Sequence, residues 1–419
     1  MKRASLLIGL AALALATGPA DAEDFVIRGA TVHTATTPGT LENTDVLVRD
    51  DTIVAVGPNL AAPPNARVID AKGRPLTPGL FGGFSAIGLD EISEEPSTID
   101  SSVNLKSPAW EQQWRPELDV TLAYNPRSAL VPVARTEGVT WTVLAPASAD
   151  SIVAGQGAAV SLDGRFDAVI PGSRMLFVAM GGDGAKRAGG SRAAEFMLLD
   201  QAIQETRAHS GVGDRALLHP VGRKALARYL AGGKVVFEVD RAADILAVVV
   251  FARRNGMQPI IEGGSEAWVV ARQLAETKTP VILDPLEDLP SSFDRLGASL
   301  ENAARLQRAG VRIAFSNGDS ANARLIRQLA GNAVAHGLDW SAALIAIAAG
   351  PADILGIGGT RGKIAVGQVA DLVLWSGDPL EVTSLADQVW IDGRPVSLES
   401  RQTALRDRYF ERPKAHQAR

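Results

Sequence analysis

Cysteine is missing from all 419 residues, which excludes disulfides, thiolate metal sites, iron–sulfur clusters and a cysteine nucleophile. A basic excess is missing too. With 42 Lys+Arg against 47 Asp+Glu the formal net charge is -5, so a nucleic-acid partner held by a basic patch is excluded. No uninterrupted apolar run reaches the roughly 20 residues that a membrane-spanning helix needs. Histidine is scarce: His33, His209, His219, His336 and His416 include no H-x-H pair and no i, i+4 pair on one helix. The glycine-rich VAGQGAAVSLDG lacks the spacing of a dinucleotide loop, GKIAVG is no phosphate loop, and no G-x-S-x-G elbow offers a serine nucleophile.

What is present is core-forming material, 46% hydrophobic and 21% charged residues, and a compact globular chain is expected. The first residues read as a secretory signal: Lys2 and Arg3 are the positive region, Leu6 to Ala16 the apolar region, and Ala20-Asp21-Ala22 the cleavage site. Residues 1–22 are therefore expected to be removed, leaving Glu23 first in a periplasmic or secreted protein.

From Asp24 to Leu76, FVIRGATVHT, DVLVRDDTIVAVG and ARVIDAKGRPL alternate Val and Ile with Gly, Asp and Asn, the period of small antiparallel sheets. The same pattern returns in KIAVGQVADLVLWSGDP and QVWIDGRPV. Neither stretch builds a core alone, so residues 23–76 and 360–400 are expected to form one composite β accessory domain, followed by a charged tail, 401–419. Residues 77–359 alternate apolar strands (TWTVLAP, MLFVAM, VVFEV, PIIEG, PVILDP, VRIAFSNG) with helical runs such as RKALARYLA and ADILAVVVFARRNG. Over this length the pattern predicts an α/β fold, a (β/α)8 TIM-like barrel with functional groups at the C-terminal strand ends. Asn104–Arg127 and Gly181–Arg192 read as loops over its mouth.

Three motifs give the arrangement a family likeness. LTPGLFGGFSAIGL looks like the P-G-[LF]-[IV]-D-x-H-x-H first barrel strand of the amidohydrolase superfamily, in its imidazolonepropionase and dipeptidase branch; GDSANARLIRQLAGNAVAHGLDWSAALIAIAAGPADILGI resembles the last barrel strand and its helices; and GKIAVGQVADLVLWSGDPLEVTSLADQVWIDGRPV is similar to the closing strands. The resemblance implies hydrolysis of C–N bonds in amides, cyclic amides and amidines by water bound to one or two Zn2+ ions, held by the H-x-H pair, two later histidines and a last Asp. In this chain the ligand positions carry Phe84, Ala86, Glu238 and Gly263, and Gly82 stands where the motif has Asp. The expectation is a metal-ligand-depleted member, with no cofactor assigned. Asp319 is the family carboxylate that remains, as catalytic candidate or as a loop cap.

Other candidates come from the residues themselves. Glu91, Glu238, Glu262 and Asp319 would all stand near strand ends, and converging carboxylates would take Mg2+, Ca2+ or Mn2+ or stay apart and structural. Trp110, Trp114 and His219 are candidates for a ligand pocket, with core packing as the other reading. Two functions remain open: a C–N hydrolase with an altered site, or a non-catalytic subunit that binds a small-molecule or peptide-like ligand, as a homo-oligomer or beside an intact relative.

Overall fold

The computed structural model describes residues 24–37, 39–92, 94–103, 114–208 and 216–410. Five strands come first: β1 (Phe25–His33), β2 (Thr40–Arg49), β3 (Thr52–Gly57), β4 (Arg67–Asp70) and β5 (Pro75–Pro78). Eight follow in the central segment: β6 (Leu80–Ser85), β7 (Val139–Leu144), β8 (Val153–Ser161), β9 (Met175–Ala179), β10 (Lys234–Val239), β11 (Gln258–Gly263), β12 (Val281–Leu283) and β13 (Ile313–Phe315). The last three are β14 (Leu372–Trp375), β15 (Ala386–Ile391) and β16 (Arg394–Pro395). Two sheets result. One runs β16-β15-β14-β5-β1-β2-β3 with β4 on β1, so both ends of the chain supply it.

The other sheet runs β13-β12-β11-β10-β9-β8-β7-β6 and curls into an α/β barrel. It is nearly closed. Between β6 and β13 the contact is made by the Phe84 N–H donating to Ser316 Oγ at 2.9 Å, while the Phe81 N–H donates to the Ile347 carbonyl at 2.8 Å. Gly83 allows that approach, because its φ is 79° and a Cβ there would lie 2.8 Å from Ser316 Oγ.

The strands expected from the sequence leave out one: the glycine-rich VAGQGAAVS is β8, buried along its whole length and antiparallel to both β7 and β9. The barrel therefore departs from a regular (β/α)8 succession, with β7, β8 and β9 joined without helices. The glycines are there for close approach: a Cβ on Gly157 would fall 1.9 Å from the Leu144 carbonyl oxygen. Gly181–Arg187, expected as loop, forms a helix whose last turn carries Lys186 and Arg187.

Buried arginines join the two sheets. Arg361, in the segment after the barrel's last helix, donates to Asp371 before β14 and to Asp392 in the β15–β16 turn, and all three are under a tenth exposed. Arg165, from the β8–β9 connection, reaches the other Asp392 oxygen at 2.7 Å. Arg327 caps the carbonyls of Pro379, Glu381 and Ser384 and lies over the Trp375 ring, whose Nε1 donates to Thr77 Oγ1 at 2.9 Å. Removing one member of such a buried pair strands the other charges in a low dielectric, at a cost of about 3–5 kcal/mol. Arg361→Met is accordingly expected to lower the unfolding free energy by about 3 kcal/mol or more. A urea titration giving a loss under 1 kcal/mol would show the clamp to be dispensable.

Candidate functional site

The mouth lies at the C-terminal ends of the barrel strands. Glu238 on β10 and Glu262 on β11 are register partners on adjacent parallel strands, so their side chains leave the same face side by side. Both line a cavity of ≈ 440 Å³ floored by Phe84 and Phe177, whose rings meet edge to face at 5.3 Å. A second cavity of ≈ 380 Å³, bordered by Asp284 and Arg295, shares both carboxylates, and a third of ≈ 500 Å³ reaches Glu238 from the side of Asp240. Glu238 thus stands where the three cavities meet.

The neighbouring charges are neutralised internally. Arg295 Nε donates to Asp240 Oδ2 at 2.8 Å and its Nη1 to Glu287 Oε1 at 2.6 Å. The Ser265 hydroxyl lies within bonding distance of both carboxylates. Arg192 holds Asp294, and Arg187, the one cation lining the first cavity among the described residues, donates to the carbonyls of Ser148, Ala149 and Asp183. No hydrogen bond or ion pair joins the side-chain carboxyl of Glu238 or Glu262 to another group among the described residues. Burial, and after it the Glu238 charge, pushes the Glu262 carboxyl from the ordinary 4.5 up to about 8. Glu238 is raised as well, by burial and then by Asp240, although it opens to the solvent of the mouth.

The structure brings two of the four expected carboxylates together. Glu91 is exposed outside these cavities, with Asn125 Nδ2 at 3.4 Å from its Oε1. Asp319 is exposed and acts as a turn cap: its Oδ1 accepts the N–H groups of Ala321 and Asn322 and its Oδ2 the Asn322 side-chain amide. Trp114 is buried in the core beside Leu218, while His219 is exposed at the N-cap of the helix Pro220–Leu230. Neither lines the mouth cavities. Trp110 lies outside the described residues. Sequence reasoning missed Asp240, Asp284, Glu287 and Arg295. Asp240 had a signal, since it follows VVFEV directly at a strand end; Arg295 sits in an irregular loop with none.

A family model described as Amidohydrolase family matches residues 315–397, from β13 through the closing strands. The amidohydrolase tasK of Hapsidospora irregularis is 26% identical over 394 residues, covering 83% of this chain and 39% of its own length. An amidohydrolase from Thermotoga maritima superposes with a TM-score of 0.76 at 24% identity, covering 89% of this chain and 99% of that one. An adenosine deaminase from Xanthomonas campestris with bound zinc gives 0.53 at 18%, over 95% and 100% of the two chains. These likenesses support membership of the amidohydrolase superfamily. The chain spans only about two-fifths of the tasK relative.

The side chains at the positions that the resemblance gives to metal ligands do not fit such a set. Phe84 offers a carbon ring, 2% exposed, and Ala86 a methyl group. At Gly263, with φ 84°, any Cβ would stand 2.6 Å from Asp240 Oδ1, so a histidine there would displace Asp240 from Ser265 and Arg295. Among the described residues no three His, Asp or Glu side chains group closely enough to hold an ion.

The Glu262 proton has a measurable consequence. Between about pH 4.5 and 8 the folded chain keeps that proton while the unfolded chain releases it, so stability falls as pH rises through the window. Glu262→Gln is expected to match the wild type near pH 4 and to melt several degrees higher near pH 8.5 in calorimetry. A difference independent of pH would mean that Glu262 is ionised throughout.

Proposed function

We propose that this protein hydrolyses the C–N bond of a small amide or cyclic amide, with the Glu238–Glu262 pair doing the acid–base work that the superfamily's metal-bound water does elsewhere. The supporting observation is that two adjacent carboxyls, at the strand ends where barrel chemistry is placed, have no counter-ion, and one of them holds its proton to about pH 8. Glu238 takes a proton from water as the water oxygen bonds the carbonyl carbon. The C–N bond then breaks as its nitrogen takes the Glu262 proton, giving a carboxylic acid and an amine. Glu238 ends protonated and Glu262 ionised, and exchange with solvent resets the pair. The uncompensated negative charge further favours substrates that carry a protonated nitrogen.

A second reading rests on Phe84. With an apolar ring in place of the first metal ligand, the barrel serves as a binding subunit for the same class of ligand, alone or beside an intact relative. The signal-like start, Lys2 to Ala22, supports export of either protein to the periplasm or beyond, and in this reading the accessory sheet supports the barrel.

One set of assays separates these. The metal-stripped mature protein is expected to hydrolyse members of a panel of dipeptides and cyclic amides with a rate that falls above about pH 8, and Glu238→Gln and Glu262→Gln to lose at least about a hundredfold in kcat. Saturable binding of panel members without turnover leaves the subunit reading, and near-stoichiometric zinc required for activity overturns both. N-terminal sequencing of the exported protein should begin at Glu23.

A further inference from the structure

The opposite end of the barrel carries a site of the other charge. At the N-terminal ends of β10 to β13 a cavity of ≈ 400 Å³ is rimmed by Lys234, Arg253, Lys278 and Arg312, and no carboxylate lines it. None of the four cations stands in an ion pair among the described residues, in a chain with more acidic than basic side chains. The floor is apolar, with Ile260 and Ile354 at 2% and 5% exposure.

The rim is positioned. Arg253 Nη1 donates to the Thr277 carbonyl at 2.7 Å and Arg312 Nη2 to the Lys278 carbonyl at 3.4 Å, which leaves the remaining guanidinium donors free. Lys278 itself holds the left-handed conformation, φ 54°, that non-glycine residues seldom adopt. Lys234 is half-buried at the start of β10 with no hydrogen-bond partner for its ammonium among the described residues. Its burial holds the ammonium below the ordinary lysine range, as expected for a cation lacking a counter-ion.

We infer that this N-terminal cavity binds an amphipathic anion, a carboxylate or phosphate head seated among Lys234, Arg253, Lys278 and Arg312 over an apolar body lying on Ile260 and Ile354. The volume falls in the range of small-ligand pockets, about 300–1,000 Å³. Guanidinium forks are suited to such oxyanions, and a divided floor and rim is the chemistry that one molecule with a charged end and an apolar end satisfies at once. The bland role for the same cations is to offset the carbonyl ends of the helices Ala242–Arg254 and Ala271–Glu276. That role engages one donor on each arginine and none on Lys234.

The test is calorimetric titration of the full mature protein with octyl phosphate, octanoate, inorganic phosphate and octanol. Octyl phosphate or octanoate is expected to bind saturably at one site, at least about tenfold more tightly than phosphate or octanol, and less tightly at 0.5 M NaCl. Lys234→Met and Arg312→Gln should each weaken binding about tenfold or more. Arg312 is exposed, so its variant decides the matter if Lys234→Met does not fold. No saturable binding, equal binding of octanol or of bare phosphate, or wild-type affinity in variants with unchanged melting temperature overturns the inference and leaves the cations as helix caps.

Discussion

The seam between β6 and β13 constrains everything at the barrel mouth. Gly83 is bent to a positive φ against Ser316, and the Ser316 hydroxyl takes the next N–H, so the backbone at Phe84 has one place to be. From there its ring turns inward onto Phe81 and Phe177. The result is an aromatic plug across the position from which this superfamily reaches for metal. An imidazole at that place would bring ring nitrogens into a dry aromatic contact, where an unpaired polar group is costly. Phe84 and Phe177 instead form the apolar floor of the mouth cavity.

With the axis plugged, the chemistry left at the mouth is decided by which carboxylates have found a cation. Asp240 and Glu287 share Arg295, and Asp294 and Asp244 share Arg192. These pairs also hold the irregular segment after β12 against the barrel rim. Glu238 and Glu262 have no such partner, and their proximity and burial oppose simultaneous ionisation. Burial and the neighbouring carboxylates raise both carboxyls above the ordinary range, Glu262 to about 8.

Much of this was legible in the chain. The apolar runs KVVFEV and PIIEGG end on the two carboxylates, and a strand-end position is the one place where a polar residue in an apolar run carries a functional meaning. Phe84 and Ala86 likewise declared the missing ligands through a motif rather than a period. What failed has physical causes. VAGQGAAVS carries no alternation because a strand buried on both faces has no polar side to show, and its glycines serve a backbone contact that exists only in the closed barrel. Asp319 and Glu91 sit near strand ends in sequence, yet the first turns back to cap its own loop and the second points to solvent. The pairings of Arg295 with Asp240 and of Arg192 with Asp244 and Asp294 link residues more than fifty positions apart, a separation that no local pattern reports.

Gly263 sets where Asp240 can stand. Its missing side chain is the space that Asp240 Oδ1 occupies, and Asp240 is in turn the anchor for Arg295 and the Ser265 hydroxyl. A metal-binding side chain at 263 and the Asp240 network therefore compete for the same volume. A histidine at 263 would break the Arg295–Asp240 pair and release the segment that Arg295 fastens. The carboxylate pair and the arginine-fastened rim thus form one arrangement, set sterically by Gly263 and electrostatically by Arg295.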